Sequence, residues 1–155
     1  LSATSPAFGS RDGTFQRAFL DKRLKPLDEG IGLPALAPDI VAELVGEDPC
    51  PEGVRRAIES MAQVPPQSYR AALALVATFD ARALLPRIAV PTLVIAGARD
   101  GNAPAAMMEK MAARIAGARF VSCEGAGHLA NLERPGAFNR AVAAFIEAVE
   151  TKAGP

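Results

Sequence analysis

Hydrophobic positions change rhythm near residue 67. Beyond it they recur with regular periods; before it they come in short bursts between prolines and glycines. Residues 68–78, rich in Ala and Leu, predict a helix, and Asp80-Ala81-Arg82 begins a short one that stops before Pro86. Pro91 introduces residues 92–96, a short β-branched run typical of a strand buried on both faces. Pro104, with Asn102 as a candidate cap, opens a helix whose Met107, Met108, Met111 and Ile115 share a face, and Gly117 is its stop. Residues 119–123 read as a second strand. Pro135 starts a last helix, with Phe138, Val142, Phe145, Ile146 and Val149 forming one apolar stripe.

Strand, helix, strand, helix is a βαβ unit with a closing helix, which demands a parallel sheet covered by helices. Two strands make too small a sheet to stand alone. The pattern therefore predicts the C-terminal part of a doubly wound α/β domain, with its earlier strands expected upstream of Leu1.

Between Pro6 and Pro66 the chain is cut into brief helical candidates. Asp12-Gly13-Thr14 caps one carrying Phe15, Phe19 and Leu20 on one face. Pro38 starts a second with Ile40, Val41, Leu44 and Val45. Pro51-Glu52-Gly53 opens a third, with Val54, Ile58 and Met61 on its buried side. Pieces like these suit a lid better than a free-standing core. The expected division is a strand end and loop over residues 1–11, a helical cap over 12–66, core over 67–150 and a tail over 151–155.

Composition narrows the function. The 155 residues balance 17 basic against 17 acidic side chains, with no basic stripe, which argues against a nucleic-acid partner. The longest apolar run, near residues 88–98, is broken by Pro91 and too short for a bilayer. No charged n-region precedes an apolar h-region, so no signal peptide is predicted. Cys50 and Cys123 are too few and too far apart for a disulfide framework or metal site. A cytoplasmic protein fits this best.

Chemistry gathers at two strand ends. In open α/β sheets, functional groups lie beyond the carboxyl ends of the strands. Asp100 follows the first strand, and His128, the chain's single histidine, follows the second on a glycine-loosened turn. An imidazole serves as general base near neutral pH, and a carboxylate on its other nitrogen fixes the tautomer. One helical crossover separates the two residues, which sets their loops side by side. Asp80 lies too far before the strand, while Glu124 and Glu133 sit on the histidine's own loop or at the start of the next helix. Each signal has a plainer reading, a structural histidine or an ordinary Asp-Gly-Asn turn. Their joint placement favours catalysis.

The stretch from Pro91-Thr-Leu-Val-Ile-Ala-Gly-Ala-Arg-Asp100 to Ala103-Pro104, with Gly125-Ala-Gly-His-Leu-Ala-Asn-Leu-Glu-Arg-Pro135 and Phe138-Asn139, closely resembles the C-terminal signature of α/β-hydrolases. Within them it looks most like the 3-oxoadipate enol-lactonase and carboxylesterase-like branch. The resemblance is strong from Phe79 to Val149, and residues 4–9 look like the segment after the sixth strand. It implies an α/β-hydrolase fold with Asp100 as triad acid and His128 as general base, and a nucleophile earlier in the chain. It implies hydrolysis of a small-molecule ester or lactone, without metal or organic cofactor.

No Gly-x-Ser-x-Gly elbow is present. In Gly9-Ser10-Arg11-Asp12-Gly13 the serine comes one place early, so Ser10 reads as a loop residue, and Cys123, inside a predicted strand, reads as core. The nucleophile and oxyanion loop are thus expected in an N-terminal half upstream of Leu1, and the fragment alone is expected to be inactive. Dehalogenases, haloperoxidases and acyltransferases share the same Asp-and-His end, and a non-catalytic module of this fold is the third reading. Phe8, Phe15, Phe19, Leu20 and Met61 are candidate pocket lining. Arg11, Arg17, Arg23 and Arg70 are candidate cations for an anionic substrate.

Overall fold

The computed structural model describes residues 5–10 and 12–152. Residues 1–4, where a core strand is expected to end, Arg11, and residues 153–155 of the expected tail lie outside the described residues. The centre is a parallel pair, β1 (Leu93–Gly97) and β2 (Arg119–Cys123), in register from Leu93 opposite Arg119 to Gly97 opposite Cys123. Parallel pairing requires a crossover, and α5 (Ala105–Ala112) supplies it.

Every residue of β1 is buried, because alternate side chains enter two different apolar layers. Val94 and Ala96 pack with Leu85, Ala103, Met108, Met111, Ala112 and Ile115 beneath α5. Leu93 and Ile95 join Cys123, Ala126 and Ala130 beneath α7 (Pro135–Lys152). That helix lays Phe138, Val142 and Phe145 against the sheet as its stripe predicts, while Ile146 stays 49% exposed. It also runs through residues 151 and 152.

Upstream lie α1 (Thr14–Asp28), α2 (Leu33–Ala42), α3 (Pro51–Ala62) and α4 (Pro66–Thr78). These helices enclose an apolar cluster of their own. Leu33, Ile40, Tyr69 and Leu73 are buried in it, with Phe19, Leu20, Leu24 and Met61 packed around them. At its sheet side, Ala7 bridges Asp80 antiparallel, and the N–H of Ala81 donates to the Pro6 carbonyl at 2.7 Å.

Several expected boundaries move. Pro26 does not break α1; it sits in the last turn, where one lost hydrogen bond is cheap, and Gly30 at φ 85° closes the end. Pro38 lies inside α2 rather than at its start, which belongs to Leu33 and Pro34, and Leu44 and Val45 fall in the loop beyond. In α3 the deeply buried residues are Gly53 and Ala57, with Val54, Ile58 and Met61 half-buried. No helix starts at Asp80; its carboxylate instead takes the Arg82 N–H, and a 3-10 turn spans Leu85–Arg87 through Pro86. Asn102 does not cap α5, which has Pro104 at its cap position. Met107 is 47% exposed because Met108 takes the sheet-facing position. Gly117, at φ 70°, turns the chain into β2 after α5 has already ended at Ala112. Among the described residues, no helix is long and apolar enough to cross a membrane.

Candidate active site

The loops leaving β1 and β2 are laced together by backbone hydrogen bonds. The N–H of Ala98 donates to the Cys123 carbonyl at 2.9 Å, and that of Arg99 to the Ala126 carbonyl at 2.8 Å. This approach needs glycine at the end of β1. A Cβ on Gly97 would stand 2.0 Å from the carbonyl oxygen of Gly127. The lacing brings Asp100 and His128 to one rim, where Nδ1 of His128 lies 2.8 Å from Oδ2 of Asp100.

Asp100 is held for this contact. It is 8% exposed, and its other oxygen, Oδ1, accepts the N–H groups of Asn102 at 2.8 Å and Ala103 at 3.0 Å. Burial works to raise its pKa, but the His128 hydrogen bond and the two peptide donors outweigh that and hold it below the ordinary carboxylate value. An ionised carboxylate can only accept, so Nδ1 of His128 carries a proton, and in the neutral form of the ring the lone pair is on Nε2. The His128 side chain is 23% exposed. Among the described residues its hydrogen-bonding side-chain partner is Asp100.

His128 lines a cavity of about 390 Å³ between the strand ends and the helical cluster. Of the expected lining, Phe8, Phe19 and Met61 face it, together with Ile40, Leu44, Tyr69 and Leu73. Leu20 packs into the helical core instead. Phe15 is 53% exposed and meets Phe8 edge-on, lining an outer groove with Ser10 and Met107.

Among the candidate cations, Arg23 reaches the cavity. It is 11% exposed, lies over the Phe19 ring and pairs with Glu43 at 2.8 Å, whose other oxygen takes Lys22 at 2.8 Å. Among the described residues Arg17 bonds its own helix start, through the Asp12 carbonyl and the Thr14 hydroxyl. Arg70 pairs with Asp28.

Neither alternative nucleophile meets the histidine. Ser10 donates to Asp12 at 2.6 Å and accepts the Phe15 N–H at 3.1 Å, as a helix-start loop residue does. Cys123 is 3% exposed at the end of β2, and burial pushes its thiol pKa up. No group of three or more His, Cys, Asp or Glu side chains is placed to hold a metal ion among the described residues.

The sequence profile of the alpha/beta hydrolase family matches residues 2–141. The chain belongs to that family. Its sequence is similar to 3-oxoadipate enol-lactonase 2 of Acinetobacter baylyi, 35% identical over 97 residues, which cover 63% of this chain and 36% of that protein. Among solved structures, the enol-lactonase from Burkholderia xenovorans LB400 superposes with a TM-score of 0.77 at 28% identity, covering 93% of this chain and 54% of that one. A thermophilic esterase from Thermogutta terrifontis gives 0.75 at 27% identity, covering 93% and 53%. This alpha/beta hydrolase chain thus spans about half the length of these structures and about a third of the curated relative.

One residue of this hydrolase chain escapes a reading of its sequence as a string. Glu133 ends α6 (Ala130–Glu133) and is 2% exposed. Its carboxylate accepts peptide N–H groups from Gly46 at 2.6 Å, Gly127 at 2.9 Å and Leu129 at 2.9 Å. Two of those donors flank His128, and the third lies 87 residues away in the helical segment. The one signal in the sequence is the spacing: a carboxylate one helical turn past a glycine-rich loop can fold back onto that loop's free N–H groups.

Proposed function

We propose that the whole protein hydrolyses carboxylic esters or lactones of small molecules in the cytoplasm through a Ser-His-Asp triad. This chain supplies Asp100 as the acid and His128 as the base; the serine and oxyanion donors come from a segment upstream of Leu1. The observation that carries the reading is the 2.8 Å contact between Asp100 Oδ2 and His128 Nδ1 on adjacent strand ends, at the wall of an apolar cavity. Similarity to an enol-lactonase and an esterase supports the bond type.

In this mechanism the lone pair on Nε2 takes the serine proton as its oxygen attacks the substrate carbonyl. The tetrahedral intermediate collapses, the acyl–oxygen bond breaks, and the imidazolium returns the proton to the leaving alkoxide or enolate. A water then gives its proton to Nε2 and its oxygen to the acyl carbon; the acyl–serine bond breaks, and the imidazolium returns that proton to the serine oxygen, releasing the carboxylic acid. Asp100 keeps the ring in one tautomer and stabilises the cation during both steps. Residues 12–66 act as the cap that shapes the acyl pocket. Arg23 is the candidate cation for a substrate that carries a carboxylate.

The deciding experiment gives the full-length protein p-nitrophenyl acetate and an enol-lactone. Turnover of either, lost in His128→Ala, supports the triad; a His128→Ala enzyme with wild-type kcat/KM removes His128 from the chemistry.

A further inference from the structure

We propose that Glu133 is a positioning residue, tying the loop of His128 to the helical segment so that the imidazole stays in register with Asp100. The proposal rests on His128 acting as the base, and goes beyond it by assigning a function to a buried carboxylate that touches neither ring nor substrate.

The two backbones meet here with nothing between them. A Cβ on Gly127 would stand 2.4 Å from the Leu44 carbonyl oxygen and 2.6 Å from the Gly46 nitrogen. A Cβ on Gly46 would meet the Gly125 carbonyl oxygen at 2.5 Å. Across this contact the N–H of His128 donates to the Leu44 carbonyl at 2.7 Å, and that of Glu47 to the Gly125 carbonyl at 2.9 Å. Such crowding leaves three N–H groups turned inward with no peptide carbonyl to take them. Glu133 takes all three, Oε2 from Gly46 and Gly127 and Oε1 from Leu129.

The geometry favours positioning over general stiffening. Peptides on both sides of His128 are gripped by one carboxylate, and the residue's own N–H is gripped by the helical segment. That fixes the direction in which the His128 side chain leaves the backbone. The ring's contact with Asp100 depends on that direction, because Asp100 is itself fixed by two peptide donors. A carboxylate suits the task because it has acceptors only. A carboxamide would turn an N–H₂ group toward at least one of the three donors.

The test uses the full-length protein with Glu133→Gln, Glu133→Ala and, at the outer side of the same crossing, Arg134→Ala. Arg134 holds the carbonyls of Glu47 and Asp48 without touching the three donors. Three readouts are taken: kcat and KM, the folded fraction by circular dichroism, and the downfield His128 Nδ1–H proton resonance, assigned by its loss in His128→Gln. Misplacing a reacting group by about 1 Å can cost about a hundredfold in rate. The expected result is a kcat lower by about tenfold in Glu133→Gln and further still in Glu133→Ala. KM should change little, and the resonance should broaden or vanish in protein that is still folded. Arg134→Ala should keep both kcat and the resonance.

Wild-type kcat and an intact resonance in folded Glu133→Gln overturn the proposal. So does activity lost only in proportion to unfolding, or an equal loss in Arg134→Ala. The resonance reports the ring's position whether or not the ring is catalytic. An active His128→Gln enzyme would therefore sink the triad and leave the hold of Glu133 on the ring to be judged by the spectrum.

Discussion

Gly97 and Gly127 face each other so closely that a Cβ on the first would sit 2.0 Å from the carbonyl oxygen of the second. The obstacle is backbone, which cannot rotate aside as a side chain does. Gly97→Ala should therefore destabilise the full-length protein by upward of about 2 kcal/mol, read from urea unfolding. Activity should fall too, since Asp100 and His128 hang from the strand ends that must part.

Replacing Asp100 by Asn leaves the shape nearly unchanged and presents an amide to the ring, which favours the wrong tautomer. kcat should drop by about 10⁴-fold, the size of effect found where the same partner of a catalytic histidine is neutralised. KM measured on the same substrate should hardly move.

The lowered pKa of Asp100 also has a stability consequence. A carboxyl whose pKa is depressed on folding adds stability that is complete above its unfolded value, about 3.9, and is lost as pH falls toward the folded one. Wild type should therefore exceed Asp100→Asn in stability near neutral pH, and the gap should narrow below about pH 4. Chemical denaturation of both proteins across pH 3–7 measures it. A gap that stayed constant would mean that the charge on Asp100 contributes nothing to folding.

Arg23 supplies a prediction about substrate choice. Hydrogen bonds to charged groups are worth about 1.5–3 kcal/mol, so Arg23→Gln should raise KM about tenfold or more for an ester bearing a terminal carboxylate. A neutral ester of the same length is the comparison, and its KM should be preserved. If both rise together, the change lies in the packing of Phe19 and Glu43 rather than in recognition.

Cys123→Ala tests the thiol directly. The substitution removes a buried atom and should cost roughly 1–2 kcal/mol in stability. Turnover should persist, because burial raises the thiol pKa and Cys123 belongs to the sheet core.

The contrast between Asp100 and Glu133 shows how far a linear sequence reaches. Asp100, His128, β1, β2 and α7 are all legible, because short periodic runs mark the strands and the strand order alone sets neighbouring loops side by side. The surroundings of Ser10 and Cys123 are legible too, the first in a loop and the second in the core. Glu133 reads only as a residue at the start of the helix after the histidine. Its role depends on Gly46, 87 residues away, and local pattern carries no trace of such a meeting. Helix limits upstream fail for a related reason. Pro26 reads as a break and Pro38 as a start, but packing around Leu33, Ile40, Tyr69 and Leu73 carries α1 past the first and sets the second inside α2.

The crossing at residues 44–47 also bears on where this fold tolerates change in length. An inserted residue there would shift Leu44, Gly46 and Glu47 off their partners at His128, Glu133 and Gly125 all at once. The connections at residues 29–32 and 63–65 carry no such obligation to the histidine loop. Evolution, or an engineer wanting a roomier pocket, should lengthen the chain at those two joints and leave the 44–47 passage at its present count.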